Sequence, residues 1–187
     1  MRVAVTSIPR FAREVYFSPN GGRTDAIVRE LDKAQSTVLV QAYSSSSYKI
    51  AKALLDVHKR GIKVEIFFHK NQKRDQYSSA DFLANSGMSV KIDSEHAIAH
   101  NKAMIIDGGI IITRSFNFTK AREEKDAEKL LVIYDRKLAE QYTKNWEEHT
   151  RHSEVYVGRR RFSRSFYGLQ PEVSLLRQNA FGLSAPP

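Results

Sequence analysis

The sequence predicts an α/β fold in which a mixed β-sheet is sandwiched by helices. Short runs of β-branched and apolar residues alternate along the chain with longer segments whose apolar residues recur at helical spacing. Such alternation is typical of a sheet that is covered by helices. The length of 187 residues and the hydrophobic content of 41% fit one domain with a sizeable core.

The first part of the chain alternates predicted strands with predicted helices. A turn-rich run at 18–22 ends the first strand, and Thr24 is a candidate N-cap for the first helix, whose apolar residues share one face. A serine run at 44–47 leads into the second helix, which Gly61 ends. The strands of this part are predicted at 14–17, 37–42 and 63–68.

The second part contains a predicted hairpin and a long amphipathic helix. The hairpin joins strands at 102–106 and 110–113 through a turn that contains two glycines. The amphipathic helix spans 137–149 and is rich in charged residues on its outer face. The other elements predicted here are a short helix at 80–85 and strands at 89–92 and 130–134.

The chain divides into a domain over 1–150 and a basic tail over 151–187. The tail contains six arginines and two glutamates, and therefore carries four of the nine net positive charges of the chain. Its aromatic residues interleave with the arginines, which suits stacking on bases combined with phosphate contacts. A tail that packs on the domain, or that is partly disordered, fits equally well. The tail residues predicted to bind substrate are Arg159, Arg160 and Arg161.

The composition limits which binding partners and which cellular compartment we expect for this protein. A formal net charge of +9 favours a polyanion, either nucleic acid or an anionic membrane surface. Without cysteine, the chain can form neither a disulfide framework nor a thiolate zinc site. No apolar run reaches the roughly 18 residues that span a bilayer, and the N-terminus lacks the long apolar stretch of a secretory signal. We therefore expect no stable membrane anchor and, by default, a cytoplasmic location.

The most informative motif is a set of polar residues at strand spacing. His100, Lys102 and Asp107 form the pattern H-x-K-x-x-x-x-D, and Ser115 and Asn117 follow. His100 and Lys102 are two residues apart, so on a strand they point to the same face. Ser115 and Asn117 have the same spacing. An imidazole beside an ammonium, a hydroxyl and an amide suits attack on a phosphate, because one group attacks while the others hold the anion.

The motif resembles the signature of the phospholipase D superfamily, in which the same pattern is followed by a serine and an asparagine. The run 115–121 and Glu128 resemble more closely the small bacterial endonucleases of that superfamily. The resemblance covers about residues 14–150 and implies a phospholipase D-like fold with phosphodiesterase activity. Arg114 stands where the family usually has glycine.

The residue types suggest a role for each member of the motif. We interpret His100 as the nucleophile, because an imidazole nitrogen that attacks phosphorus forms a phosphohistidine and divides one difficult displacement into two steps. Lys102, Ser115 and Asn117 are interpreted as the clamp that meets negative charge developing on the phosphate oxygens.

The nucleophilic histidine also needs a group that holds its tautomer, and Glu128 and Asp107 are the candidates. The resemblance to the endonucleases implies that Glu128 orients the imidazole and that Asp107 supports the motif. The alternative for Glu128 is a solvated charge, because it lies in the mixed-charge run 122–129.

The chain carries one copy of the motif, whereas the chemistry needs two histidines. A second histidine is the natural general acid for the leaving oxygen near neutral pH, and later the base for water. We therefore predict a two-fold homodimer whose motifs face each other across the axis, as the resemblance to single-motif endonucleases implies. His69 is the only plausible local substitute.

The scheme requires no metal and no cofactor. Acidic residues are scattered through predicted helices and turns, and they do not resemble a two-metal nuclease site. His96 and His100 have the four-residue spacing of zinc ligands on a helix, but the residues around them predict a loop that enters a strand.

These observations favour a metal-independent phosphodiesterase that acts on DNA, with RNA as a second candidate, at low sequence specificity and with strong salt dependence. The first alternative is a phospholipid hydrolase with the same chemistry, although no convincing apolar amphipathic anchor is present. The second alternative is a nucleic-acid-binding module in which Arg114 has disabled the site. Arg114 could instead bind a further phosphate, and it is counted among the predicted substrate-binding residues.

Overall fold

The computed structural model describes residues 13–17, 21–42, 47–70, 79–93, 95, 102–115 and 128–159. In chain order, the elements formed by these residues are β1 (Arg13–Phe17), α1 (Arg23–Asp32), β2 (Thr37–Ala42), α2 (Tyr48–Lys59), β3 (Lys63–His69), α3 (Ala80–Asn85), β4 (Ser89–Asp93), β5 (Lys102–Ile106), β6 (Ile110–Arg114), β7 (Lys129–Tyr134), α4 (Arg136–Arg151) and β8 (Ser153–Val155). None of these helices is both long enough and apolar enough to cross a membrane.

The described strands form one mixed sheet in the order β1-β7-β6-β5-β2-β3-β4-β8. β2, β3 and β4 run parallel, and α2 and α3 lie between them in the chain, as parallel neighbours require. The strands on either side of this parallel group pair antiparallel. The predicted mixed sheet is therefore confirmed.

Helices cover both faces of the sheet. Side chains alternate between the two faces along a strand. On β5, Met104 and Ile106 enter the core formed with α1, α2 and α3, whereas Ile105 packs with Trp146 of α4. The indole Nε1 of Trp146 donates a hydrogen bond to the carbonyl oxygen of Val40 at 3.2 Å, which satisfies its polar atom in the core. The prediction that helices sandwich the sheet is confirmed, and the two faces are called the α1–α3 face and the α4 face below.

The start of α1 differs from the sequence prediction. Gly22 is the N-cap: it adopts a left-handed conformation with φ 68°, and its carbonyl oxygen accepts a 2.9 Å hydrogen bond from the amide of Ala26. Thr24 lies buried in the first turn, so the prediction that Thr24 caps this helix was wrong. Glycine reaches positive φ without steric cost, which lets the helix begin before the threonine.

The sheet continues into the segment predicted to be a tail. β8 pairs antiparallel with β4, and the amide of Tyr156 donates a 2.8 Å hydrogen bond to the carbonyl oxygen of Val90. The sequence did not predict β8, because a strand of three residues is too short to show a period of two. The folded unit thus extends past 150 to 159, and the rest of the tail, 160–187, lies outside the described residues.

Candidate active site

Several predicted site residues meet at one edge of the sheet, where β5 begins, β6 ends and β7 begins. These three strands are adjacent and antiparallel, so the ends named here share an edge. The site residues that the structure brings to this edge are Lys102, Arg114, Ser115 and Glu128. His100 and Asn117 lie outside the described residues, each two positions from a member of this group.

Lys102 and Arg114 form a cationic pair on the α1–α3 face. Ala103 lies opposite Thr113, so Lys102 and Arg114 are the next positions on β5 and β6 and leave the sheet on the same side. Both residues are buried, with 6% and 8% of their surface exposed. Two adjacent cations in a partly desolvated place raise the local positive potential, which favours an anionic group such as a phosphate.

Ser115 and Glu128 are joined across the ends of β6 and β7. The hydroxyl of Ser115 donates a short hydrogen bond to Oε2 of Glu128, and the amide of Lys129 donates to the Ser115 Oγ at 3.3 Å. The amide of Ser115 donates in turn to the carbonyl oxygen of Lys129 at 3.4 Å. Glu128 is half-buried and accepts this hydrogen bond from Ser115. Its predicted contact with His100 stays a prediction.

Asp107 does not lie with Lys102, Ser115 and Glu128, the other predicted catalytic residues that the structure describes. It follows the last residue of β5, whereas Lys102 is the first, so a whole strand separates the two. Five residues at about 3.3 Å each place Asp107 about 16 Å from Lys102, at the opposite edge of the sheet. This position gives no support to a direct contact of Asp107 with substrate, and its predicted part in catalysis stays a prediction.

The Asp107 carboxylate holds the loop between α1 and β2 against the β5–β6 turn. Its oxygens accept hydrogen bonds from the amides of Gln35 (3.0 and 3.2 Å), Ser36 (2.8 Å) and Thr37 (3.0 Å), and from the Ser36 hydroxyl (2.8 Å). Partial burial acts to raise the pKa of Asp107, but these hydrogen bonds outweigh it, and the pKa lies below its ordinary value of 3.8.

Replacing Asp107 by asparagine is expected to lower the free energy of unfolding by about 1–3 kcal/mol at neutral pH, because one acceptor oxygen and the charge are lost. Asparagine tolerates the left-handed conformation that Asp107 adopts (φ 51°), so the loss reports the carboxylate and not the turn. Urea unfolding of both proteins measures the difference.

The same pair of proteins tests the pKa of Asp107. A pKa that is lower in the folded state gives stability that is fully present above the unfolded pKa and is lost as the pH falls through the folded pKa. The difference between wild type and Asp107→Asn should therefore shrink as the pH is lowered from neutral to about 3. A difference that stays constant or grows over this range would contradict the assignment.

Two further predicted residues lie away from the cationic pair. Phe68, Ala42 and Lys102 lie opposite one another on neighbouring strands, so their side chains share one face of the sheet. His69 is the next residue after Phe68, and its side chain therefore emerges on the opposite face from Lys102. His69 therefore does not supply a local second histidine beside Lys102. Arg159 forms a 2.9 Å ion pair with Asp81 of α3, and its predicted contact with substrate stays a prediction. Arg160 and Arg161 lie outside the described residues.

Known proteins resemble this chain in sequence and in fold. A family model described as "Cardiolipin synthase, PLD-like domain" matches residues 27–150, which is well over half of the chain. The protein belongs to the phospholipase D superfamily. Membership places this phospholipase D-like chain in a superfamily of phosphodiesterases, and it confirms the resemblance carried by the H-x-K-x-x-x-x-D motif.

Relatives of this phospholipase D-like protein differ in their names. "Phospholipase D" of Rickettsia typhi is 39% identical over 143 residues, which span 75% of this chain and 70% of the relative. "Mitochondrial cardiolipin hydrolase" of Chlamydomonas reinhardtii is 29% identical over 121 residues, which span 63% of this chain and 54% of the relative. The crystal structure of Nuc from Salmonella typhimurium, a phospholipase D family member, matches with a TM-score of 0.74 at 33% identity. The match covers 78% of this chain and 97% of Nuc, and it confirms the fold.

Proposed function

We propose that this protein is a metal-independent endonuclease that cleaves phosphodiester bonds of DNA, with RNA as a second substrate, through a phosphohistidine. The observation that carries the proposal is that the buried cations Lys102 and Arg114 and the hydrogen-bonded pair of Ser115 and Glu128 lie at the same ends of three adjacent strands. This edge presents two cations, a hydroxyl and a carboxylate, and His100 precedes Lys102 by two residues in the sequence. Such a set can bind a phosphodiester and orient an imidazole toward it.

The proposed reaction has two steps in which His100 is first consumed and then restored. A ring nitrogen of His100 attacks phosphorus, and the bond from phosphorus to one nucleoside oxygen breaks. The leaving oxygen takes a proton from the partner's His100. Water then attacks the phosphohistidine, gives its proton to the partner's His100 and breaks the phosphorus–nitrogen bond. Lys102 and Asn117 hold the non-bridging oxygens in both steps.

The proposed active site needs two subunits because each chain supplies one motif. Among the described histidines, His69 leaves the sheet on the face opposite Lys102. A two-fold axis that brings two copies of the edge containing Lys102 together would place two imidazoles on either side of one phosphate. The match to Nuc covers 97% of that chain, so Nuc is a phospholipase D family member of about the size of this one domain.

Charge and surface favour nucleic acid as the substrate. The net charge of +9 suits a polyanion, and a nuclease that contacts phosphates should bind with little sequence preference and weaken steeply with salt. In the part of the chain that the structure describes, the exposed large apolar residues lie at the two outermost strands of the sheet instead of forming one patch. They are Val15 and Phe17 on β1, and Val155 and Val157 at the end of β8 and just after it.

A phospholipid is the second candidate substrate, because relatives of this chain are named phospholipase D and mitochondrial cardiolipin hydrolase. The headgroup of a phospholipid offers the same phosphodiester to the same residues. The two substrates differ in what surrounds the phosphate, so a direct comparison separates them.

The test compares supercoiled plasmid DNA with cardiolipin-containing vesicles, both in excess EDTA. Purified wild-type protein and the His100→Ala variant are assayed side by side. Cleavage of DNA by the wild type and not by His100→Ala supports the proposal. Hydrolysis of the vesicles without cleavage of DNA would move the assignment to the lipid. DNA binding without turnover by either protein would favour the binding module with an impaired site.

The shared active site makes a quantitative prediction about mixed dimers. When equal amounts of wild-type and His100→Ala subunits are exchanged, about a quarter of the dimers carry two intact histidines. Activity should therefore fall to about a quarter of that of the same total amount of wild type. Independent subunits would retain about half, and this outcome would contradict the composite site. Plasmid cleavage after subunit exchange by reversible unfolding provides the measurement.

A further inference from the structure

A second cluster of ligand-type side chains lies at the same edge of the sheet, formed by the ends of β4 and α4. Asp93 is the last residue of β4, His149 lies in the last turn of α4, and His152 lies between α4 and β8. One ligand atom of each residue lies within 4.8 Å of the other two. We propose that Asp93, His149 and His152 bind a divalent transition-metal ion, for which Zn²⁺ is the best match, at a site separate from the proposed phosphodiesterase site.

The cluster faces the opposite side of the sheet from the cationic pair. Lys102, Ala42, Phe68 and Ile92 lie in one row across β5, β2, β3 and β4, so their side chains share the α1–α3 face. Asp93 follows Ile92, and its side chain therefore emerges on the α4 face. Three strand spacings of about 4.8 Å also separate β4 from β5, which adds about 14 Å along the sheet.

The surrounding residues hold two of the three ligands in place. Asp93 has no exposed surface, and its Oδ1 accepts a 3.0 Å hydrogen bond from the amide of Glu95. The ring of Phe67 stacks on the ring of His149, with 5.7 Å between centroids and 20° between planes. The hydroxyl of Ser153 donates a 2.7 Å hydrogen bond to the carbonyl oxygen of His149. Ordered ligands lose little conformational entropy when they bind an ion.

His152 stands between two carboxylates in an arrangement common around bound metals. Its Nε2 lies 4.0 Å from Oδ1 of Asp93, and its Nδ1 lies 3.9 Å from Oε2 of Glu95. With Nε2 on the metal beside Asp93, Nδ1 can donate to Glu95, which fixes the ring and strengthens the ligand. The Nε2 of His152 and the Nδ1 of His149 are both shielded from solvent.

The ligand set selects the class of ion. Imidazole nitrogens with one carboxylate suit Zn²⁺ and its neighbours in the first transition row, whereas Mg²⁺ and Ca²⁺ prefer oxygen alone. A tetrahedral ion with bonds of about 2.0–2.1 Å holds its ligand atoms roughly 3.3 Å apart. A contraction of the observed cluster by small side-chain rotations reaches that spacing, and water or Glu95 can complete the fourth position.

The position of the cluster indicates a stabilising site. It joins β4, the end of α4 and the turn into β8, and β8 is an edge strand of only three residues. A bound ion would tie this edge to the helix that covers the α4 face. Because the ion binds the folded arrangement and not the unfolded chain, it should raise thermal stability.

The experiment measures zinc binding and stability, and it does not depend on phosphodiesterase activity. Protein stripped with EDTA and dialysed is titrated with Zn²⁺, with metal content read by mass spectrometry and unfolding followed thermally. We expect about one zinc per chain and a rise in Tm of about 5 °C or more at saturating zinc. Binding of zinc without any rise in Tm, or no binding at all, would overturn the proposal.

Variants assign the ion to the cluster. His149→Gln and His152→Gln should lose the zinc-dependent rise in Tm, whereas the matched control His58→Gln, on α2, should keep it. A rise that persists in both cluster variants would place the ion elsewhere and contradict the proposal. If either variant fails to fold, X-ray absorption of zinc-loaded wild type decides the matter, because the proposed site requires two imidazole ligands and other ligand sets contradict it.

Discussion

Replacing His100 by glutamine is expected to reduce cleavage of DNA in EDTA by about four orders of magnitude. Glutamine keeps a polar side chain of similar size but has no nitrogen that can form a phosphohistidine. The same change removes the general acid from the second subunit, so one substitution eliminates both roles in a composite site. Initial rates of plasmid nicking, with a fluorescent oligonucleotide for the slow variant, provide the measurement.

The matched control is His58→Gln, which changes a half-buried histidine on α2 and should leave the rate nearly unchanged. Rapid quenching under alkaline conditions, where phosphohistidine survives, should trap labelled DNA on the wild type and not on His100→Gln. Residual cleavage within tenfold of the wild type would show that His100 is not the nucleophile, and the proposed reaction would then be wrong.

The fold could be predicted from the sequence where one element carries its own signal. β5 is apolar at four of its five positions and is joined to β6 by a glycine-containing turn, so the hairpin was visible in the sequence. The order of the strands could not be predicted, because it depends on pairing between segments far apart in the chain, such as β2 with β5. β8 pairs through three residues whose stability comes from the neighbouring strand and not from their own sequence.

Part of the candidate site could be predicted, because it lies in a motif and a hairpin that are both visible in the sequence. The spacing of the motif placed Lys102 at a strand start, and the hairpin register then places Arg114 beside it. The same motif contains Asp107, and only the structure shows that the whole length of β5 separates Asp107 from Lys102. The cluster of Asp93, His149 and His152 left one signal in the sequence, the spacing of three residues between the two histidines, of which His149 lies in the last turn of α4 and His152 follows the helix. Their third partner precedes them by more than fifty residues and could be found only in the structure.

Replacing Lys102 by methionine is expected to lower kcat for DNA cleavage by about 10²–10³-fold, with a smaller change in KM. Lys102 is buried beside Arg114, so its ammonium acts where the dielectric constant is lower than in water and charge developing on phosphate oxygens is strongly stabilised. Ground-state binding of DNA is spread over many phosphate contacts, so removal of one of them costs KM little. Methionine fills a similar volume and is tolerated at an apolar strand position, so the fold should persist.

The control is Lys63→Met, at the exposed start of β3 on the opposite edge of the sheet from Lys102. Both variants remove one positive charge from the chain, so a general effect of net charge on DNA binding should appear equally in each. The proposed role of Lys102 requires a loss of kcat in Lys102→Met alone, at a Tm close to that of the wild type. If the two variants instead show the same small increase in KM and unchanged kcat, Lys102 contributes only to the electrostatic attraction of DNA, and the transition-state charge must be met by the neighbouring Arg114 or by donors outside the described residues.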